Sequence, residues 1–260
     1  MRICLIGDSH LAALKQGWPA ESHAPVEPVY FAGHGKTMRS LALSGDALAA
    51  SNPVLEMALI RTSGGLKKID GHYDRYVVHG LELGLGLALE AFVTHYSRHE
   101  HGNRMAWLAH PSFADILRAA LRDSMSVQTM SLLRQISNAP IIFSPTTVSA
   151  KKYKQFRNRL SETGHATVLL DIFSSAVQDL ERDLNARFLP QPPDTLCDDR
   201  MGTKEIYSVD PARFAVRGQP DDNAHMNAAY GAAVVRDLLH VLEQPPENQS
   251  ARTALPEDRD

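Results

Sequence analysis

Short apolar runs, each stopped by glycine, serine or aspartate, recur along the chain and are separated by longer stretches of mixed polarity. The first runs from Ile3 to Ile6 and is stopped by Gly7-Asp8-Ser9. Leu11, Leu14 and Lys15 then predict a helix to about Gln16, a strand-turn-helix unit. Pro28-Val29-Tyr30-Phe31 reads as a second short strand, followed by Gly33-His34-Gly35 and a helix expected around Thr37 to Leu48. Glu56 to Arg61 and Leu66 to Ile69 flank Ser63-Gly64-Gly65 in the pattern of a hairpin. Tyr76-Val77-Val78 forms the next buried-strand pattern, closed by His79-Gly80. Leu83 to Arg134 reads as mostly helical, with breaks near Gly102 and Pro111. Ile141-Ile142-Phe143, ended by Ser144-Pro145, and Val168-Leu169-Leu170, ended by Asp171, complete the expected strands. An ordered loop is expected from about Phe188 to Pro220. Ala228 to Leu242 is a final amphipathic helix, with Val234, Leu238, Leu239 and Leu242 on one side. The expected organisation is one domain over 1–245 and a polar, disordered tail over 246–260.

Strands alternating with helices predict an α/β domain with a mostly parallel sheet covered on both faces. Sheets of this kind carry their sites at the carboxyl ends of the strands. Gly7-Asp8-Ser9, Gly33, His79-Gly80 and Ser144 all fall at such ends, so one mouth is expected to collect them.

Bulk properties narrow the partners. The 260 residues suffice for a substantial core, and the formal net charge of -3 supplies no global positive field for nucleic acid or an anionic membrane. No stretch approaches the roughly 20 apolar residues of a membrane span. The apolar run at the N-terminus is too short for a signal peptide. Two cysteines, Cys4 and Cys197, make no disulfide framework, and a cytoplasmic location is expected.

Two constellations can carry chemistry. In Gly7-Asp8-Ser9-His10 a serine stands where a strand turns into a helix. There the outward N–H groups and the positive end of the helix dipole suit a nucleophile and its oxyanion. The alternative is an N-cap by Asp8 or Ser9, worth about 1 kcal/mol. Far downstream, Asp222 and His225 stand three apart just before the last helix. That spacing lets a carboxylate orient an imidazole and stabilise the imidazolium formed during proton transfer. The alternative there is helix capping by Asp222, with His225 on the surface.

Taken together, Gly-Asp-Ser after the first strand and Asp-x-x-His before the last helix resemble the first and last motif blocks of the SGNH (GDSL-like) hydrolase family, in order and in spacing. The resemblance implies a three-layer α/β/α, flavodoxin-like fold with about five mostly parallel strands. It implies Ser9 as nucleophile, His225 as general base and Asp222 as its orienting partner. It further implies an oxyanion donor at the end of the second strand, where Gly33 stands and Gly35 is the alternative. The family's third block usually supplies an asparagine. Here the chain reads His79-Gly80-Leu81-Glu82-Leu83-Gly84, so His79 through its side chain or Gly80 through its backbone is the expected substitute.

Other patterns carry less. Gly35-Lys36-Thr37 lacks the earlier glycine of a phosphate loop, since that position is Tyr30. Gly7-Asp8-Ser9-His10-Leu11 has one glycine where a dinucleotide fold needs several. His95 and His99 have a helical spacing that suits zinc, with His101 and His110 near them, but no further ligand announces itself, and no metal or cofactor is expected. Trp18, Trp107 and Tyr207 read as packing aromatics rather than sugar platforms, and Arg98, Arg104, Lys204 and Arg213 as solvated charges. The function expected is a serine ester hydrolase acting on a short acyl group of a carbohydrate or other small polar ester. The alternatives are an O-acyltransferase with the same residues and a binding protein with little catalysis.

Overall fold

The computed structural model describes residues 1–21, 25–97, 110–149, 154, 165–198, 200–208 and 225–244. Its centre is a five-stranded sheet in which every pairing is parallel: β1 (Arg2–Gly7), β2 (Glu27–Ala32), β6 (Arg75–His79), β7 (Ile141–Ser144) and β8 (Ala186–Phe188). The spatial order β2-β1-β6-β7-β8 is the 2-1-3-4-5 order of flavodoxin-like folds. The expected fold class is therefore the observed one.

Period-two alternation divides the sheet's side chains between two layers. Ile3, Leu5, Val77 and Ile142 point to one face. They are covered by Leu11 and Leu14 of α1 (Leu11–Glu21) and by Val234 and Leu238 of α7 (Ala228–Glu243). Cys4, Ile6, Tyr76, Val78 and Phe143 point to the other. That face is covered by α2 (Pro53–Ser63), α3 (Leu85–Ser97), α4 (His110–Arg122), α5 (Met125–Ile136) and α6 (His165–Leu184). Burial on both faces explains why the strands read as continuous apolar runs, and Cys4 is wholly buried among them.

Three expectations are corrected. The segment after Gly35 is a 3₁₀ turn, Gly35–Ser40, followed by strands β3 (Leu41–Ser44) and β4 (Ala47–Ala50), not a helix. Gly45, at φ +68, supplies the turn between them, and β5 (Lys68–Ile69) pairs with β4 in a small antiparallel sheet. The stretch before Ser63-Gly64-Gly65 is helix α2 rather than a hairpin arm. The Asn52 side chain caps it by accepting from Leu55 N–H, Pro53 opens it, and Gly64, at φ +79, ends it. Val168-Leu169-Leu170 lies inside α6, whose buried Leu169, Ile172, Phe173, Ala176, Val177 and Leu180 follow the helical period. The fifth strand is Ala186–Phe188 instead.

Candidate active site

Gly7 ends β1 beside His79, and a Cβ at Gly7 would lie 2.7 Å from His79 O and from Leu11 Cγ. Only glycine lets the chain turn so tightly into α1. The backbone carbonyls of Asp8, Ser9 and His10 then accept from Leu11, Ala12 and Ala13, so Ser9 stands at the mouth of the sheet ahead of the helix. Across the mouth, His225 precedes α7. Asn227 caps that helix by accepting from Tyr230 N–H, and its own amide donates to the Ile206 carbonyl. Met226 bridges Ser208, which fixes the segment that carries His225.

The result joins residues 216 apart in sequence: Ser9 Oγ and His225 Nε2 are 2.7 Å from each other. With Nε2 unprotonated, the hydroxyl donates to it, the geometry of a serine poised against a base. Both side chains are half-buried. Asp222 lies outside the described residues.

The remaining expected donors are placed differently. Gly33 N–H donates to Gly7 O at 3.2 Å, extending the β1–β2 ladder, so it is not directed at an oxyanion. Glycine is required there for packing: a Cβ would meet Thr37 Oγ1 at 2.7 Å and Met38 Sδ at 2.8 Å. Gly80 N–H likewise donates to Ser144 O at 2.9 Å. Both N–H groups, expected as oxyanion donors, are thus engaged within the sheet. His79 is 1% exposed, and its Nδ1 lies 2.7 Å from Ser144 Oγ. Burial, reinforced by the charge of His10 and partly offset by Asp8, lowers its pKa to about 4, so it is neutral at pH 7. His79 is thus a buried neutral group beneath the mouth rather than a solvent-facing donor.

Asp8, weighed from the sequence only as a helix cap, and His10 both stand beside Ser9. Asp8 Oδ1 lies 2.7 Å from His10 Nδ1 and also accepts from His10 N–H at 2.9 Å. Burial alone would raise the Asp8 pKa, but the hydrogen bonds and charge of His10 outweigh it and hold the carboxyl below its ordinary range. The His10 ring stands 5.4 Å from the His225 ring, centroid to centroid. The signal was present as Asp-x-His at a strand-to-helix turn. Next to this pair, Gly80, Leu81 and Glu82 all have positive φ, at 76, 53 and 67. Such backbone is costly for Leu and Glu, and it concentrates at functional sites. Arg39 from the 3₁₀ turn donates to the Glu82 carboxylate at 2.7 Å.

Other candidates resolve as structure. Trp18 packs edge-on against Tyr30, and Tyr207 against Tyr230. Lys204 donates to the Asp194 carbonyl, and Thr37 of Gly35-Lys36-Thr37 donates to the His34 carbonyl. Arg98, His99, His101, Arg104, Trp107 and Arg213 lie outside the described residues. Among the described residues, no group of three His, Cys, Asp or Glu is placed to hold a metal, and no helix is long and apolar enough to cross a membrane.

No protein-family model matches the chain, and no curated protein matches it in sequence. Solved structures similar to it include an extracellular lipase from Streptomyces rimosus, at 9% identity and a TM-score of 0.45, covering 93% of this chain and 99% of that one. A GDSL-like lipase from Bacteroides thetaiotaomicron aligns at 9% identity and a TM-score of 0.41, over 93% of this chain and 86% of its own. A catalytic mutant of an acetylxylan esterase from Geobacillus stearothermophilus aligns at 13% identity and a TM-score of 0.37, over 94% of both chains. The fold class rests on the chain's own strand order and its two helix layers.

Proposed function

We propose that the protein is a serine ester hydrolase that removes a short acyl group from a carbohydrate or other small polar ester through an acyl-Ser9 intermediate. The observation that carries this reading is the 2.7 Å approach of Ser9 Oγ to His225 Nε2 at the carboxyl end of a parallel sheet. Ser9 Oγ attacks the ester carbonyl as its proton passes to His225 Nε2, and the carbonyl π electrons move onto oxygen. The oxyanion collapses and expels the alcohol, which takes the proton from His225. Water then attacks the acyl-enzyme by the same sequence and releases the acid. Asp222, three residues before His225, is assigned the part of orienting the imidazole. Ser9 N–H makes no backbone hydrogen bond among the described residues. At the N-terminus of α1 it suits the oxyanion.

A fluorophosphonate serine probe tests this. Covalent attachment mapped to Ser9, abolished in Ser9→Ala and His225→Ala, is the expected result, together with turnover of short-chain p-nitrophenyl esters. No labelling of folded protein would overturn the proposal and favour a binding protein, a reading supported by the engagement of Gly33 and Gly80 N–H in the sheet. A rate that rises with an added acceptor alcohol, with ester as the product, would make the enzyme an acyltransferase.

A further inference from the structure

We propose that Asn227 is the positioning residue that holds His225 against Ser9, and that it acts by donating its side-chain amide to the 3₁₀ turn Glu205–Tyr207 and the residue after it rather than through its cap on α7. The inference rests on Ser9 and His225 being nucleophile and base, and it names the group that keeps the base in place.

Three observations carry it. First, the amide is divided between helix and turn. Its Oδ1 accepts from Tyr230 N–H at 3.1 Å in the first turn of α7, while its Nδ2 donates to the Ile206 carbonyl at 2.7 Å and to the Ser208 carbonyl at 3.3 Å. An oxygen facing an N–H and a nitrogen facing carbonyls leave one orientation for the planar group. Second, the backbone follows the side chain. Asn227 N–H donates to the Tyr207 carbonyl at 2.8 Å, and Met226 forms an antiparallel bridge with Ser208. The chain from His225 to Asn227 therefore runs along the turn before it enters the helix. Third, the turn is anchored to the sheet by bonds that do not involve α7. Lys204 N–H donates to the Thr195 carbonyl and Thr203 N–H to the Val148 carbonyl, each at 2.9 Å, and Val148 follows β7. Gln191 donates to the hydroxyls of Thr195 and Thr203, both wholly buried.

A cap bond by itself does not place His225. It fixes the first turn of α7, and His225 precedes the cap residue, where the chain is not helical. The Nδ2 bonds set the direction in which that segment leaves the helix, toward Ser9. Asp222 is assigned to the imidazole ring, whereas Asn227 acts on the backbone that carries it.

Asn227→Ser separates the two roles. Serine caps a helix about as well as asparagine, but its shorter side chain cannot also reach the Ile206 and Ser208 carbonyls. Asn227→Ala removes both roles. Rates are compared at a temperature at which circular dichroism shows each variant folded. Fluorophosphonate labelling of Ser9 is expected to slow about 100-fold in Asn227→Ser, the effect of a misplacement of about 1 Å, and hydrolysis of p-nitrophenyl acetate to lose kcat with KM changed less than about threefold. Labelling of Asn227→Ser at the wild-type rate, with only Asn227→Ala slow or less stable, would reduce Asn227 to a helix cap and overturn the proposal. A crystal structure of Asn227→Ser reads the same point without activity. A Ser9 Oγ to His225 Nε2 separation beyond hydrogen-bonding range is expected, and one still at 2.7 Å would overturn the proposal. A wild type that neither labels nor turns over ester would instead refute Ser9 as nucleophile, and the variant structure alone would then decide whether Asn227 holds the pair together.

Discussion

Gly231→Ala adds one methyl group between two helices and is expected to disable the site. Helices α1 and α7 cross where Gly17 and Gly231 face each other. A Cβ at Gly231 would lie 1.8 Å from Ala13 O and 2.3 Å from Ala13 C, and one at Gly17 would lie 2.1 Å from Ala232 N. All of these are backbone atoms, so no side chain can rotate away. Reaching an ordinary contact of 3.4 Å from 1.8 Å requires the helices to part by about 1.6 Å. Overpacking of this kind costs about 1–3 kcal/mol, or a fall in Tm of about 3–10 °C for a domain of this size. The functional effect is larger. Ser9 lies just ahead of α1 and His225 just ahead of α7, so parting the helices stretches their 2.7 Å contact beyond hydrogen-bonding range. A misplacement of about 1 Å costs on the order of 100-fold in rate. Thermal melting by circular dichroism and the fluorophosphonate labelling rate of Ser9 measure the two effects. Gly45→Ala separates them: its site is open, its φ of +68 costs an added side chain about 1 kcal/mol, and it should leave labelling unchanged. A Gly231→Ala protein with wild-type Tm and labelling rate would refute the claim that this glycine contact sets the distance between Ser9 and His225.

Two further predictions concern stability. His79 has a folded-state pKa of about 4 against an ordinary 6.5, so the unfolded chain takes up its proton first as pH falls. Its contribution is complete above pH 6.5 and is lost progressively toward pH 4, by up to about 3 kcal/mol. The urea midpoint of His79→Gln should therefore fall less between pH 7.5 and 4.5 than that of the wild type, and equal slopes would refute the assignment. Arg134 donates to the carbonyls of Leu184, Ala139 and Asn185, tying α5 to the start of β7 and the turn before β8. Arg134→Ala should cost about 2–4 kcal/mol in urea unfolding and Arg134→Lys nearly as much, because an ammonium cannot span three acceptors in that planar arrangement. Neither variant should alter the labelling rate of Ser9 in folded protein.

How much of this was legible in the sequence depended on whether a feature is local. β1, β2, β6 and β7 announce themselves because strands buried on both faces must be apolar throughout, and α7 because its apolar stripe is long. Val168-Leu169-Leu170 misleads for the same reason: three apolar residues fit a buried strand and a helix face equally, and only the recurrence through Leu180 decides. β8 has three residues, too few to show any pattern. In the site, Ser9 and His225 were legible as residue types at the edges of elements, but their meeting depends on Gly17 and Gly231, each of which reads alone as a helix weakness costing about 1 kcal/mol. A glycine inside a helix pattern gains meaning only when the facing backbone is known. The engagement of the expected oxyanion donors was hidden for a related reason. Gly33 and Gly80 stand at strand ends where an outward N–H is expected, yet each strand runs one hydrogen bond further than its apolar pattern indicates and consumes that N–H. The Asp8–His10 pair, written openly in four consecutive residues, was passed over because Asp8 was weighed only as a helix cap. A carboxylate two residues before a histidine at a helix start can close on the ring and on the backbone N–H at once, and here it does both.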